Sequence, residues 1–355
     1  MLSVQIRKSL REFELDIAFE VSPSETLVLI GPSGCGKTTT LNTIAGLMRP
    51  EEGRIALNGT TLWDRAQGID VCAERRQVGY VFQDFALFPH MSAAENVAYG
   101  LRARRAPRQE IPRRVEEALK LVGMAHLDRR RPGAMSGGER QRVALARAIA
   151  CDAEILLLDE PMGSLDAQTR NRVRGELQHL LHSLKRVTIM VTHDYVDALT
   201  FGHRIGVMDR GKMLQIGERQ EMLQRPRSRF VAELTGVNFY EGTISSSQIN
   251  GLAEVWVGDT CIYANTSRPE MGDTLLAFFP SDVTLSPEAP AGAARNVFRA
   301  RVRDIVHMGD KVRVCLNGSL AMNVEITATT LEKLGLAEGS VVFAAVPTSA
   351  VRTYR

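Results

Sequence analysis

Two periods of apolar residues alternate along the chain. Over residues 1–30 they recur at every second position, at Val4 and Ile6 and then at Phe13, Leu15, Ile17, Phe19 and Val21, which predicts strands of a half-exposed sheet. Leu27-Val28-Leu29-Ile30 is apolar throughout and reads as a buried strand, and Leu41, Ile44 and Ala45 follow at helical spacing. Residues 54–57 ahead of Asn58-Gly59 predict a hairpin, and residues 78–82 a further strand. From Ser92 to about Leu127 the pattern is helical, with Val115, Ala118, Leu119 and Val122 on one face and Arg113, Arg114, Glu116 and Glu117 toward water. A helix carrying Val143, Ala146, Ile149 and Ala150, an apolar strand at 155–158, a helix with Val173, Leu177, Leu180, Leu181 and Leu184, and a strand at 187–191 complete this part.

After about Phe230 the helical period gives way to short β-type runs at 253–257, 274–279, 298–306, 312–316, 321–326 and 340–345, with turns at Gly258-Asp259, Gly309-Asp310 and Asn317-Gly318. That texture predicts a small β-barrel. At 355 residues the chain exceeds one ordinary core, so two domains are expected, residues 1–235 and 236–355.

Composition narrows the function classes. A hydrophobic content of 44% and a charged content of 24% are those of a soluble globular protein, and a net charge of +3 gives no argument for a nucleic-acid partner. No apolar run reaches the ~18 residues that span a bilayer and no signal peptide opens the chain, so a membrane role is expected to be peripheral. Cys35, Cys72, Cys151, Cys261 and Cys315 are scattered without C-x-x-C pairs, which suits reduced thiols and argues against a disulfide or zinc framework.

The chemistry concentrates where strands end. Gly31-Pro32-Ser33-Gly34-Cys35-Gly36-Lys37-Thr38 fits the phosphate-cradling P-loop pattern, and it lies between a strand and a helix, as that motif requires. Its glycines let backbone N–H groups close on phosphate oxygens, and the following helix points its positive end at the same anions. Lys37 can reach the β- and γ-phosphates, and the Thr38 hydroxyl, next to Thr39, can hold Mg²⁺. Gln83 ends a strand ahead of an aromatic-rich loop. Met135-Ser136-Gly137-Gly138-Glu139 opens a helix, and Ser136 with Glu139 makes a capping box. The double glycine there also makes a second anion-binding helix start, one too many for a single nucleotide bound in a monomer. The strand at 155–158 ends in Asp159, placed to hold Mg²⁺, and Glu160, placed to polarise water. Gly163-Ser164-Leu165-Asp166 precedes a helix, and His193 follows the strand at 187–191. Phe13 is a candidate for stacking on an adenine ring, although an aromatic at such a position is more often simply core.

In this order, over residues 1–235, these pieces resemble the nucleotide-binding subunit of an ABC transporter. The resemblance implies an α/β P-loop NTPase with antiparallel β and helical subdomains, the helical one at about 91–150, followed by an all-β OB-like barrel. It implies a homodimer packed head to tail, each ATP lying between the P-loop of one chain and Ser136, Gly137 and Gly138 of the other, with Asp166 in the loop between them. Gly31, Pro32, Ser33, Gly34, Cys35, Gly36, Lys37, Thr38 and Thr39 would bind the nucleotide, and Thr38, Gln83 and Asp159 would serve Mg²⁺. Glu160, His193 and Gln83 would be the catalytic groups. Residues 82–90 and the helices after them would face integral-membrane permease subunits on the cytoplasmic face of the membrane, served indirectly by a periplasmic or extracellular substrate-binding protein.

The tail is similar to the molybdate-binding barrel of molybdate importers and molbindins over about 292–355. The residues that carry this are Ala294-Arg295-Asn296-Val297-Phe298-Arg299-Ala300, residues 331–339 and residues 341–346, with Phe279-Pro280-Ser281-Asp282-Val283 ahead of them. The likeness implies molybdate import and molybdate binding by the tail. The family's barrel has a serine before the Ala-Arg-Asn triplet, and Ala293 stands there in this chain, removing one hydroxyl that would face an oxyanion. The same engine also serves sulfate, tungstate, ferric iron, polyamine and sugar importers, and ABC-type ATPases also work outside transport. A free molybdate sensor with a vestigial ATPase is a further reading, opposed by Lys37, Asp159, Glu160 and His193.

Overall fold

The computed structural model describes residues 1–163, 165–249, 252–265, 271–290 and 296–355. The chain forms two compact units, Met1–Arg219 and Gln220–Arg355.

In the first unit, β1 (Leu2–Ser9) and β2 (Glu14–Val21) pair antiparallel with Val4 opposite Phe19 and Ile6 opposite Ile17, so the alternation buries one face. They are followed by β3 (Thr26–Ile30), α1 (Lys37–Ala45), β4 (Glu52–Leu57), β5 (Thr60–Asp64), β6 (Ile69–Asp70) and β7 (Val78–Val81). The hairpin expected at 54–59 joins β4 to β5 through Asn58 and Gly59, both at positive φ, 49° and 83°. After α2 (Ala93–Ala103), α3 (Ile111–Leu121) and α4 (Gly137–Ile149) come β8 (Ile155–Asp159), α5 (Ala167–Leu184), β9 (Val187–Thr192), α6 (Tyr195–Phe201), β10 (Arg204–Asp209) and β11 (Lys212–Glu218).

All eleven strands form one sheet in the order β6-β5-β4-β1-β2-β11-β10-β3-β9-β8-β7. From β10 to β7 the pairing is parallel. Strands β3, β8 and β9 are buried at every residue, which is why they carry apolar runs and no alternation. Their carboxyl ends lead into the P-loop, Asp159-Glu160 and His193, the end at which open α/β sheets place their ligands.

One expectation is corrected here. Residues 92–127 are not one continuous helix, because α2 ends at Ala103 and α3 starts at Ile111. Arg105 turns the chain left-handed at φ 57°, Pro107 follows, and Pro112 sits in the first turn of α3, where its missing N–H is harmless.

The second unit contains α7 (Arg219–Gln224, from the boundary), α8 (Arg229–Thr235), β12 (Asn238–Ile249), β13 (Leu252–Val257), β14 (Thr260–Asn265), β15 (Gly272–Phe278), β16 (Thr284–Ser286), β17 (Asn296–Met308), β18 (Lys311–Gly318), β19 (Met322–Thr327), α9 (Ala328–Leu334), β20 (Val341–Val346) and β21 (Arg352–Tyr354). Helix α8 runs past Phe230, where the helical period was expected to stop. Ser228 caps its start and Gly236, at φ 72°, closes it. Asn317-Gly318 is not a turn. Both residues remain in β18, opposite Arg301 and Ala300, and a Cβ on Gly318 would come within 2.9 Å of the Arg299 carbonyl oxygen.

The strands make two five-stranded antiparallel sheets, β14-β13-β12-β15-β21 and β16-β20-β17-β18-β19, which share one core including Val255, Leu276, Val314 and Val342. This is the all-β, OB-like half of the fold. Two buried asparagines tie the sheets together. Asn238 of β12 donates to the Asn323 carbonyl and accepts its N–H, both at 2.8 Å, while Asn296 of β17 donates to the Tyr263 carbonyl at 2.8 Å and accepts its N–H at 2.7 Å. Among the described residues no helix is long and apolar enough to cross a membrane.

Candidate functional site: the P-loop and the carboxyl ends of the parallel strands

Glycine is required in the loop between β3 and α1. Gly34 and Gly36 stand at φ 81° and 109°, and a Cβ on Gly31 would come 2.1 Å from the Met208 carbonyl oxygen. The Lys37 ammonium is folded into this loop. It donates to the carbonyl oxygens of Gly31 and Pro32, both at 2.8 Å, with Cys35 Sγ at 3.7 Å, and the side chain is 5% exposed. Burial pushes the Cys35 thiol up, against the pull of Lys37. Ser33 and Gly34 are exposed on the loop, and Thr39 is half-buried in the first turn of α1, with its carbonyl accepting from Thr43 Oγ1 at 2.7 Å. The ring of Phe13 lies beside the loop, 3.7 Å from where a Cβ on Gly36 would stand.

Thr38 donates from Oγ1 to Asp159 Oδ1 at 3.1 Å. The Tyr80 hydroxyl stands 3.4 Å from Asp159 Oδ2 and 3.1 Å from Asn42 Oδ1. Burial raises the Asp159 carboxyl, opposed by the Thr38 bond, and also raises the Tyr80 phenol. A hydroxyl and a carboxylate meeting in this way form an oxygen donor set of the kind that suits a hard divalent cation.

Glu160 is held at φ 44° by its backbone, its N–H donating to the Val191 carbonyl at 2.9 Å across to β9. Gln83 Nε2 donates to Glu160 Oε2 at 3.1 Å, and His193 Nδ1 lies 3.4 Å from Glu160 Oε1. The structure therefore gathers Gln83, Glu160 and His193 into one cluster beside the Thr38–Asp159 pair. The loop after Gln83 is pinned from behind. Arg147 of α4 donates to the Phe85 carbonyl at 2.8 Å, and buried Asn96 of α2 accepts the Phe88 N–H at 2.8 Å while donating to the Phe88, Met91 and Ser92 carbonyls.

Ser136, Gly137 and Gly138 stand apart from this cluster in their bonding. The capping box at α4 is closed, with the Ser136 N–H donating to Glu139 Oε2 at 2.7 Å and the Glu139 N–H to Ser136 Oγ at 3.3 Å. Among the described residues no hydrogen bond joins Ser136, Gly137 or Gly138 to residues 31–39. The Asp166 carbonyl accepts the Arg170 N–H at 2.9 Å at the head of α5. Ser164 and Ala293-Ala294-Arg295 lie outside the described residues. Of the Ala-Arg-Asn triplet the structure describes Asn296, whose side-chain amide is engaged with Tyr263.

Sequence reasoning missed Tyr80, Asn42, Asn96 and Arg147 as parts of this site. Tyr80 sits in an apolar run, and only its hydroxyl, which seeks a partner when buried, hinted at more than packing. The other three each reach at least one atom 8 to 62 positions away, a relation that no local pattern carries.

Comparison with known proteins agrees with this geometry. Residues 15–163 match the ABC transporter family and residues 292–352 the TOBE domain. The chain is similar to the molybdate/tungstate import ATP-binding protein WtpC of Pyrococcus abyssi, 39% identical over 363 residues covering 100% of both chains. It is 45% identical over 233 residues to the trehalose/maltose import ATP-binding protein MalK of Thermococcus litoralis, covering 65% of this chain and 63% of that one. A dimeric ATP-binding cassette in a post-hydrolysis state bound to ADP and Pi superposes with a TM-score of 0.52 at 29% identity, over 61% of this chain and 98% of that one. With a P-loop closed around Lys37, a carboxylate pair at the end of β8 and relatives matched along its whole length, the chain belongs to the ATP-binding proteins of ABC transporters, ATPases coupled to transport.

Proposed function

We propose that the chain is the ATP-hydrolysing subunit of a molybdate importer, working as a homodimer on the cytoplasmic face of the membrane with integral-membrane permease subunits and, through them, a substrate-binding protein. The observation that carries the cargo is full-length similarity to a molybdate/tungstate import protein, whereas the sugar-import relative covers 65% of the chain. Molybdate and tungstate are tetrahedral dianions of nearly one size, so the two are expected to compete.

In this reading the N-terminal amides of α1 and the Lys37 ammonium hold the phosphates, and Phe13 lies beside the adenine. Lys37 exchanges its carbonyl partners, Gly31 and Pro32, for phosphate oxygens. Thr38, Asp159 and Gln83 would hold Mg²⁺, which would supply neutralisation of the phosphate charge. Glu160 takes a proton from the attacking water, oriented by its bonds to Gln83 and His193. Ser136, Gly137 and Gly138 close on ATP held by the partner, aided by Asp166, and this requires the dimer. Closing and opening of the dimer then biases the permease between its two states.

The test is uptake into proteoliposomes holding the chain with its cognate permease and binding protein. ATP-dependent accumulation of labelled molybdate, displaced by tungstate and not by sulfate or maltose, is expected. Accumulation of sulfate, sugar, ferric iron or polyamine instead would transfer the cargo and keep the engine.

A further inference from the structure

Tyr80 lies on β7 level with Leu157 of β8, two residues before Asp159. A phenylalanine would satisfy the apolar run around it, yet its hydroxyl faces two polar side chains, Asn42 Oδ1 of α1 at 3.1 Å and Asp159 Oδ2 at 3.4 Å. An ionised carboxylate offers only acceptors, so the proton between Tyr80 and Asp159 is the phenol's. The Asn42 amide has nearly the same shape either way round. With Nδ2 toward the phenol oxygen it donates there and leaves the phenol proton to Asp159. The ring is held in place by stacking on Phe82, with centroids 4.1 Å apart and planes 24° apart, and both side chains are half-buried.

We infer that Tyr80 is a positioning residue for Asp159, one that presets the carboxylate for a divalent cation; this rests on the proposed role of Thr38 and Asp159 toward Mg²⁺. The two carboxylate oxygens have different partners, Thr38 on Oδ1 and Tyr80 on Oδ2. One bond would leave the group free to swing about its Cβ–Cγ axis. Two bonds on different oxygens fix its plane, and each oxygen keeps a lone pair for the cation or its water. A carboxylate already held in one orientation gives up less freedom when the cation arrives, which is how outer partners of a metal ligand raise affinity. The stack on Phe82 carries the same restraint to Gln83, the next residue along the chain.

The test measures the affinity of the full chain for a fluorescent, non-hydrolysable ATP analogue in Mg²⁺ and again in EDTA. The ratio of the two affinities isolates the metal and cancels any general weakening of the nucleotide site. Tyr80→Phe keeps the ring and its stack and removes only the hydroxyl, and its ratio is expected to fall about tenfold, with a matching rise in the free Mg²⁺ needed for half-maximal binding. Asp159→Asn controls for the underlying reading and should lose most of the gain from Mg²⁺. An undiminished ratio in Tyr80→Phe, with the gain lost in Asp159→Asn, would overturn the role of Tyr80 and keep that reading. A gain that survives in Asp159→Asn would overturn both. Tyr80→Leu removes the ring as well, and a ratio that falls there but not in Tyr80→Phe would make packing the role and overturn the assignment.

Discussion

Thr38 and Asp159, 121 positions apart in sequence, share a hydrogen bond of 3.1 Å. That contact joins the first turn of α1 to the end of β8 and sets the two halves of the site at one place. Asp159 is 4% exposed and has Glu160 as a charged neighbour, so the site holds a carboxylate where burial disfavours its charge.

The first prediction concerns that disfavoured charge. Burial raises the Asp159 carboxyl above its ordinary value of 3.8, so the folded chain holds this proton more tightly than the unfolded chain does. The contribution to stability is therefore complete below that ordinary value and falls as pH rises through the folded value. Asp159→Asn should melt a few degrees above the parent at pH 7 without Mg²⁺ or nucleotide, the gain shrinking as pH is lowered toward 3.8, while ATP hydrolysis is lost. A variant no more stable than the parent at pH 7 would contradict this account.

Glu160 is aimed by its backbone and by two side chains, so Glu160→Gln should keep the local geometry and remove the base. Phosphate release is expected to fall by about 10²–10⁴-fold, with nucleotide binding retained in a filter or fluorescence assay. Retained turnover would remove Glu160 from the proposed role.

Arg76 is 1% exposed, and its guanidinium closes the carboxyl end of α1. It donates to the Thr43 and Ile44 carbonyls at 2.9 and 2.8 Å and to Val71 at 2.8 Å. Arg76→Met removes this partner from the Ile44 and Val71 carbonyls, while the Thr43 carbonyl keeps the Gly46 N–H at 3.2 Å, and should lower unfolding stability by about 2–3 kcal/mol, read by urea denaturation of the first transition. A loss below about 1 kcal/mol would show that water replaces the guanidinium.

Each inter-sheet asparagine matches one backbone N–H and one backbone carbonyl of the facing sheet. Asn238→Ala or Asn296→Ala should each destabilise the second unit by about 2–3 kcal/mol in thermal or urea unfolding, because two buried groups lose their partners. Substitution by Asp keeps the acceptor and should restore only part of the loss.

The site was legible where chemistry is local. The glycine loop, the capping box at Ser136 and the strand-to-carboxylate step at Asp159 each fit within a few residues, and β3 and β8 announced themselves as apolar runs, whereas β10, broken by Gly206, was not foreseen. Elements whose reason lies elsewhere were not legible. Arg76 carries no local mark of burial, because α1, which holds it, lies more than thirty positions earlier. Asn317-Gly318 has the composition of a turn, and the pairing of β18 with β17 keeps it extended. The break between α2 and α3 was foreshadowed by Pro107, but the apolar period on either side masked it.

The two asparagine bridges bear on where the tail can be cut. The stretch that matches the TOBE domain begins at 292 and ends at 352, yet Asn296 within it is satisfied by Tyr263 before it, and Asn323 by Asn238. Its apolar interior likewise draws on Val255, Ile262 and Leu276. A fragment cut at the family boundary would carry exposed hydrocarbon and unmatched amide groups along one whole side. The smallest piece with a claim to independent life therefore starts at Asn238 and is nearly twice as long as the stretch the family match covers.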